Sequence, residues 1–469
     1  MRIFKKYLYL LLGISFLLVS CNSKNQMDIP DIVNDNIILS GIIIDNRIDK
    51  ENNPLSPMIS IFNPITEKRN TYNITVDKKG RFYIIFPVEI NPSLAFVSFG
   101  HGEYYIMTFL IIREKNFLKI RFDTKGNMKV KLHNSIKVSS YDMTEVSNFY
   151  MEMESNHCAE SNPSNYSFYD KSLEEYTRSV NENLNCRISA AIEKFKLVST
   201  PIKEILIREF SFSFIRSYMF FYGECVSLKE LNLNDKRNLL PGEAFNNLLN
   251  SILSNATLDI QEINDMPISS WIKETAKTLG ELVGFEEGFF YDYLAIRSYM
   301  RQFEYQTKPL TALQKQNIKN YFENKAIIEI LFKESEKIEK LAKFIGVPVI
   351  NPTPDCSNEK LLEKILSKYA GKLVVVDFWT TWCGSCITAT ENMKELKSEL
   401  YDKDVTFVYI TNTSSPKNQW EKRIQGIGGE HYYLSEMQWN YLLNRFDFSN
   451  IPTFLLFDKE GVLKEKING

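Results

Sequence analysis

The sequence has no excess of either charge. Its 56 Lys and Arg against 58 Asp and Glu leave a net charge of -2 and a pI near 6.2, so the charge balance points to no nucleic acid partner. Histidine is scarce, at four in the whole chain. No cluster of His, Cys or carboxylates marks residues 37–133, and no convincing internal repeat is present. After residue 21 no apolar run approaches the ~20 residues that a membrane-spanning helix needs.

What is present suits a multidomain globular protein. At 469 residues the chain exceeds one ordinary core, and about three domains is the natural expectation at roughly 100–200 residues each. Apolar residues at 44% and charged residues at 24% are an ordinary globular balance. Aromatics at 13% promise well-filled cores and an adhesive face.

Residues 1–21 read as an export signal. Arg2, Lys5 and Lys6 form a positive start, and Tyr7 to Val19 is apolar apart from Gly13 and Ser15. That run is too short to span a bilayer. It ends in Leu18-Val19-Ser20-Cys21, the pattern of a bacterial lipobox, in which the Cys thiol takes a diacylglycerol. An ordinary secretory signal followed by an unrelated Cys is the alternative. Polar Asn22-Ser23-Lys24 follows at once, which favours lipidation of Cys21. Several acyl chains hold a protein to a membrane firmly, whereas one holds weakly. Everything after Cys21 is then expected outside the cytoplasm, facing the periplasm or the cell exterior, where disulfides persist. Of the seven Cys, four (Cys158, Cys186, Cys225, Cys356) are scattered, and spacing does not choose between bridges and buried thiols.

Residues 22–36 read as a polar linker and residues 37–135 as a β-rich domain. Short apolar runs alternate with turn signals: Ile37 to Ile44, Met58 to Phe62, Arg81 to Phe86, Leu94 to Phe99, Tyr104 to Ile112 and Phe117 to Phe122. Such spacing suggests a small sandwich, acting as a spacer or docking domain. Residues 140–345 turn helical. Ile202 to Tyr222, Ala244 to Leu253, Glu281 to Phe303 and Glu323 to Phe344 carry apolar residues at helical spacing. Pro201, Pro241, Pro267 and Pro309 fall near element ends. A linker with three prolines in seven residues, Pro348 to Pro354, predicts a stiff extended spacer. Residues 346–469 form the last domain, with a helix over Leu361 to Tyr369 and a buried strand over Leu373 to Phe378.

Trp382-Cys383-Gly384-Ser385-Cys386 follows that strand and opens a helix running to about Leu400. A Cys at a helix N-terminus feels the positive end of the dipole, which favours thiolate. Cys383 is thus expected to attack, and Cys386, three residues on, to resolve the mixed disulfide. A c-type haem site needs His at position 387, which is Ile. A structural zinc site needs a second ligand pair, and only Cys356 and His431 offer themselves, at unsuitable spacing. A fortuitous structural disulfide is the remaining alternative. Asp377 interrupts the apolar strand six residues before Cys383. Burial is costly for a carboxylate and raises its pKa, which suits a proton acceptor for Cys386; a partly solvated strand end is the plainer reading. Trp382 gives the nucleophile an apolar flank. Ile451-Pro452-Thr453 precedes the apolar strand Phe454 to Phe457, where Pro is permitted. Trp382 and Ile451 are the expected substrate-contacting residues.

With these residues in view, residues 347–469 resemble the TlpA/ResA-like branch of the thioredoxin superfamily, and the layout resembles the TlpA-like lipoproteins of Bacteroidetes. The stretch Val375-Val376-Asp377-Phe378-Trp379-Thr380-Thr381-Trp382-Cys383-Gly384-Ser385-Cys386 carries the likeness. The resemblance implies an α/β thioredoxin-like C-terminal domain and thiol–disulfide exchange without a cofactor. It also implies Cys383 as nucleophile, Cys386 as resolving thiol, Asp377 as buried carboxylate and Pro452 as a cis-proline beside the disulfide. Gly428-Gly429-Glu430-His431-Tyr432 resembles a segment of the same proteins, with no role assigned. Two departures stand out. The dipeptide is Gly-Ser where Gly-Pro is commonest, which leaves the direction of electron flow open. The sequence also ends at Gly469, after the presumed last strand, where a thioredoxin fold adds a closing helix. The implied partners are exported proteins bearing disulfides or thiols, a membrane thiol relay as electron source and the membrane itself. A reading of another class is a partner-binding scaffold whose last domain is structural or redox-sensing.

Overall fold

The computed structural model describes residues 29–44, 57–99, 104–122, 128–134, 141–155, 171–196, 200–221 and 223–468. The expected signal segment, Cys21 and Cys158 lie outside the described residues. The chain divides into two compact units, Met1–Arg297 with Asn317–Ile330, and Ser298–Gln316 with Leu331–Gly469.

Among the described residues the first unit opens with nine strands: β1 (Asp31–Ile44), β2 (Met58–Asn63), β3 (Lys68–Asn73), β4 (Arg81–Asn91), β5 (Ser93–Phe99), β6 (Tyr104–Leu110), β7 (Asn116–Phe122), β8 (Met128–His133) and β9 (Tyr141–Asp142). They form two sheets, ordered β4-β1-β7-β8 and β3-β2-β5-β6-β9. Ile37, Leu39 and Ile43 of β1 alternate inward to meet Ile59, Ile61, Val97, Leu118 and Ile120 in one core, as the two-residue side-chain period of a strand requires. Gly41 is fixed by space: a Cβ there would lie 2.2 Å from the Leu118 carbonyl oxygen and 2.3 Å from the Phe82 ring. Strands β3 and β8 escape a search for apolar runs because they are polar edge strands, and charge at a sheet edge discourages further pairing.

Helices follow: α1 (Met143–Glu154), α2 (Leu173–Lys194), α3 (Thr200–Tyr218), then a two-residue hairpin of β10 (Phe220–Phe221) and β11 (Glu224–Cys225), then α4 (Glu243–Ser254), α5 (Ile268–Val283) and α6 (Phe289–Gln306). The sequence reading of one helix over Glu281 to Phe303 needs correction. The chain breaks between α5 and α6, where Gly284 and Gly288 adopt φ of 88° and 112°, a region a continuing helix cannot use. The β and helical parts of this unit meet at the turn after β2. Asn246 and the Tyr293 hydroxyl both donate to the Pro64 carbonyl, at 2.6 and 2.8 Å, and Arg297 donates to Ile65 O at 3.0 Å. Buried Glu89 accepts from the Ile65 and Thr66 amides and the Thr66 hydroxyl.

Helices α7 (Ala312–Tyr321) and α8 (Lys325–Ile345) lead on to the second unit's sheet. That sheet comprises β12 (Pro348–Asn351), β13 (Leu373–Phe378), β14 (Val405–Asn412), β15 (Gly429–Leu434), β16 (Thr453–Phe457) and β17 (Leu463–Asn468), in the order β12-β15-β14-β13-β16-β17. The first four run parallel, and β16 and β17 are antiparallel. The expected stiff spacer is in part a strand. Pro348 to Asn351 pair with Gly429 to Tyr432 at the sheet edge, with proline at the first position, where its missing donor is tolerated. Helices α9 (Asn358–Ser367) and α12 (Glu436–Arg445) contribute to a core on one face, around Leu361, Ile365, Val376, Phe378 and Leu455. Helices α10 (Gly384–Glu399) and α11 (Lys417–Arg423) contribute to another, around Trp379, Cys386, Tyr409, Trp420 and Ile424.

The second unit also includes an arm, Ser298–Gln316. Thr307 donates its hydroxyl to the Gly426 carbonyl at 2.7 Å, and Lys394 donates to Glu304 O at 2.7 Å. The Arg423 guanidinium lies 3.8 Å over the Tyr305 ring. A Cβ on Gly426 would meet the Tyr305 carbonyl oxygen at 2.3 Å, so this contact demands glycine.

Candidate active site

Cys383 caps the N-terminus of α10 and Cys386 lies one turn inside it. The two are joined as a disulfide. The Cys386 backbone N–H lies 3.1 Å from Cys383 Sγ, the donor that would stabilise a thiolate there after reduction. Cys386 is fully buried, and Cys383 retains a small exposed surface. The Ile451–Pro452 peptide is cis. The Ile451 carbonyl oxygen sits 3.7 Å from Cys383 Sγ and accepts from the Ser385 hydroxyl at 3.4 Å. Ser385, the unusual member of the dipeptide, is thus tied to the segment that carries Pro452.

Trp382 is 64% exposed directly beside a buried pair, and its indole N–H donates to Ser414 Oγ at 3.0 Å. The Ser415 hydroxyl accepts from the Thr381 amide at 3.0 Å and lies 2.8 Å from the Thr411 hydroxyl. Asn412 in turn accepts from the Ser414 hydroxyl at 2.6 Å. The end of β14 and its loop therefore brace the Trp382 turn, a role for Ser414 and Ser415 that sequence patterning did not disclose.

Asp377 is buried in β13 between Tyr409 of β14 and Phe454 of β16. Neither carboxylate oxygen has a hydrogen-bond partner. Burial pushes its pKa up to about 8, and the nearby Lys397 cation pulls it back only in part. Lys397, in the last turn of α10, points inward. Its ammonium donates to Ile427 O at 2.6 Å and lies over the Phe407 and Tyr409 rings at 5.1 and 4.6 Å. Burial lowers its pKa to about 7 against the opposing pull of Asp377.

His431 completes this interior. Its ring stacks on Tyr409 at 5.0 Å, Nε2–H donates to Gly428 O at 3.0 Å, and Nδ1 has no partner. Desolvation drives its pKa down to about 3. The Tyr409 hydroxyl and the indole N–H groups of Trp379 and Trp420 are also buried without partners. Trp379, Tyr409 and Trp420 pack in one cluster with Cys383 and Cys386, so polar atoms with spare hydrogen-bonding capacity lie within this interior. The segment Gly428 to Tyr432, without a role on sequence grounds, has a structural one. Gly428 and Gly429 take φ of 60° and 85°, and Glu430 accepts from Asn351, Lys368 and the Tyr369 hydroxyl, fastening β12 to the sheet.

Elsewhere, Cys186 is disulfide-bonded, and Cys225 and Cys356 are unbridged. Burial pushes the Cys225 thiol up to about 12, which makes it an inert thiol at neutral pH. Among the described residues no group of His, Cys, Asp and Glu is placed to hold a metal ion, and no helix is long and apolar enough to cross a membrane.

A family model described as thioredoxin-like matches residues 371–463, the stretch from β13 into β17. That part of the chain is a thioredoxin-like domain. Within this class it is similar to the ResA-type proteins. The thiol-disulfide oxidoreductase ResA of Geobacillus kaustophilus is 34% identical over 107 residues, which are 23% of this chain and 60% of that protein. The thioredoxin-like protein YneN of Bacillus subtilis is 25% identical over 131 residues, 26% of this chain and 73% of that one. The chain thus spans little more than half the length of the ResA relative, and the relative corresponds to only about a quarter of the chain. Among solved structures, the thioredoxin domain of a thiol-disulfide oxidoreductase from Bacteroides vulgatus is 24% identical, covering 22% of this chain and 76% of that domain, with a TM-score of 0.20.

Proposed function

We propose that this protein is a lipid-anchored, extracytoplasmic thiol–disulfide oxidoreductase that reduces disulfides in exported proteins. The observation that carries the reading is the Cys383–Cys386 pair at the start of α10, backed by the buried, protonation-prone carboxyl of Asp377. Similarity to ResA supports the activity. The signal-like start and Cys21 support the location.

In the reduced protein the Cys383 thiolate attacks one sulfur of a substrate disulfide. A new bond forms from Cys383 Sγ to that sulfur, and the second substrate sulfur leaves as a thiolate. Cys386 then gives its proton to the Asp377 carboxylate and attacks Cys383 Sγ. The Cys383–Cys386 bond closes, the first substrate sulfur leaves, and the substrate has gained two electrons. Protons from Asp377 and solvent complete the two substrate thiols. A dithiol donor, supplied by a membrane thiol relay, reverses the change in the protein. Trp382 and the Ile451 backbone offer the exposed flank against which a substrate chain rests.

The test combines two measurements. Equilibration of the purified protein in glutathione and dithiothreitol buffers should give a reversible two-electron transition confined to Cys383 and Cys386. Cys386→Ser should accumulate mixed disulfides with exported proteins through Cys383. A pair that stays bridged under mild reduction, with no trapped partner, would replace this reading with that of a scaffold.

A further inference from the structure

The outer face of the sheet β4-β1-β7-β8 is unlike an ordinary solvated sheet surface, where outward positions are polar. Ile38 and Ile85 stand opposite each other on β1 and β4, and Tyr83 is the next outward residue on β4, across from Ser40. They are 42%, 52% and 61% exposed respectively. An apolar cross-strand patch left open to water marks a contact surface. Toward the other end of the same face the character changes to cationic. Ile42 of β1 is flanked by Arg81 on β4 and Lys119 on β7, and Lys119 stands directly opposite Lys131 on β8. Arg121 is the next outward residue after Lys119. Arg81 is held by Asp77. Like charges facing across two strands oppose pairing, so the Lys119–Lys131 juxtaposition raises the energy of the free domain. From Asn36 to Ile44 on β1, Arg81 to Pro87 on β4, Phe117 to Arg121 on β7 and Lys131 to His133 on β8, no carboxylate occupies a position. The whole chain carries a net charge of -2, so this clearing of acidic residues is local.

We infer that this face docks on an anionic phospholipid surface. The two halves match the two layers such a surface offers. Isoleucine and tyrosine suit the boundary between headgroups and acyl chains, with the tyrosine hydroxyl kept in the wet layer. Lysine and arginine suit the negative headgroups, which also relieve the repulsion between Lys119 and Lys131. The inference goes beyond the proposed thiol chemistry and takes one support from the proposed anchor. Asp31 at the start of β1 stands ten positions after Cys21, a reach of about 35 Å at most for an extended chain. An acylated Cys21 therefore holds this domain near the bilayer, where weak surface contacts become effectively intramolecular.

The test uses the chain from Asn22 onward, which lacks both the cationic, apolar start of residues 1–19 and the acylated Cys21, in sedimentation with vesicles. Vesicles of phosphatidylglycerol mixed with phosphatidylcholine should carry the protein down, vesicles of phosphatidylcholine alone should not, and added salt should release it. Lys119→Glu with Arg121→Glu should weaken binding by roughly tenfold or more, since each cation at such a surface contributes about a fivefold factor. Tyr83→Ser with Ile85→Ser should also weaken binding while keeping its salt dependence. Unchanged far-ultraviolet circular dichroism and urea unfolding of the variants establish that the β domain they alter is folded. Absent binding, equal binding to both vesicle types or wild-type binding by the charge-reversed variant would each overturn the inference. So would binding to an acidic polysaccharide with phosphatidylglycerol vesicles ignored. None of these outcomes bears on acylation of Cys21, which fatty-acid labelling of the wild type reads separately.

Discussion

Lys397 and Asp377 are buried in the same interior, yet no hydrogen bond joins them. The Lys397 ammonium goes to the Ile427 carbonyl at 2.6 Å, and both Asp377 oxygens are left without partners. The cation therefore acts on the carboxyl through its field alone. A group poised this way changes protonation with little rearrangement, which is what a proton acceptor behind a resolving thiol requires.

The pH dependence of resolution follows. With its pKa raised to about 8, Asp377 is protonated at lower pH and becomes an acceptor as pH rises through that value. The rate of Cys386 attack on a Cys383 mixed disulfide should climb over the same range. Asp377→Asn should remove the climb and slow this step near pH 8, while leaving initial attack nearly unchanged. Lys397→Met should move the climb to higher pH, since the lost cation is what restrained the shift. Stopped-flow tryptophan fluorescence in single turnovers reads both steps. A common profile for all three proteins would leave Asp377 without a part in catalysis.

Stability offers an independent measure of the same groups. A carboxyl whose folded pKa lies above its ordinary 3.8 favours the fold while protonated, and that contribution is lost as pH rises toward 8. Between about pH 4 and 6 Lys397, with its folded pKa of about 7, is charged whether folded or unfolded, so Asp377→Asn should gain on wild type steadily, by on the order of 1–3 kcal/mol. His431 acts in the opposite sense. Its folded pKa of about 3 lies below its ordinary 6.5, so its burial costs stability as pH falls through 6.5. His431→Phe should flatten that acid loss by several kcal/mol at most, after a cost near pH 7.5 of about 1 kcal/mol for the lost bond to Gly428. Because the two slopes oppose, the difference between each variant and wild type in urea unfolding is the informative quantity. Flat difference curves would contradict both shifts.

Thiol accessibility should separate the two cysteines. After reduction, iodoacetamide below neutral pH should modify Cys383 first, because it caps α10 and keeps some exposed surface while Cys386 has none. Peptide mapping of the alkylated protein decides the order, and prior modification of Cys386 would reverse the assigned roles.

Gly426→Ala should destabilise the second unit. The added Cβ meets a backbone oxygen of Tyr305 at 2.3 Å, so the chain must move, at a cost of about 2 kcal/mol or more. Arm residues 298–316 should become cleavable by protease before the sheet unfolds. Thermal unfolding and limited proteolysis check this, and a wild-type cleavage pattern would show the contact to be dispensable.

The anchor has its own check. Cys21→Ser should abolish fatty-acid labelling and weaken retention in membranes. Absent labelling in the wild type would refute lipidation.

The parts of this site that sequence disclosed are those written locally. A Cys pair opening a helix, a carboxylate inside a run of valines and a proline ahead of an apolar strand are each visible within a few residues. Lys397 is different. On α10 it has the look of any solvated lysine near a helix C-terminus, and only the packing against Phe407 and Tyr409 reveals it as interior. Tyr409, Trp420 and His431 likewise pass for ordinary core residues until β14, α11 and β15 come together. The missed break at Gly284 to Gly288 was legible in principle, since two glycines stand there. Apolar spacing on either side outweighed them. Pro348 to Asn351 misled in another way, because the backbone of an extended spacer is close to that of an edge strand, and only a partner such as β15 tells them apart.

The crossing of the chain between its two units limits how this protein could be cut or recombined. A fragment beginning at residue 346 carries every residue of the thiol site, and in sequence it resembles a self-sufficient module. It would nonetheless discard Glu304, Tyr305 and Thr307, stranding the Gly426 carbonyl and the Arg423 guanidinium and leaving the buried Lys394 ammonium with Glu391 but without its bond to Glu304 O. The catalytic portion is in this sense no transferable cassette. An exchange of C-terminal segments between related genes would have to carry the arm of residues 298–316 with it, or repair three contacts at once.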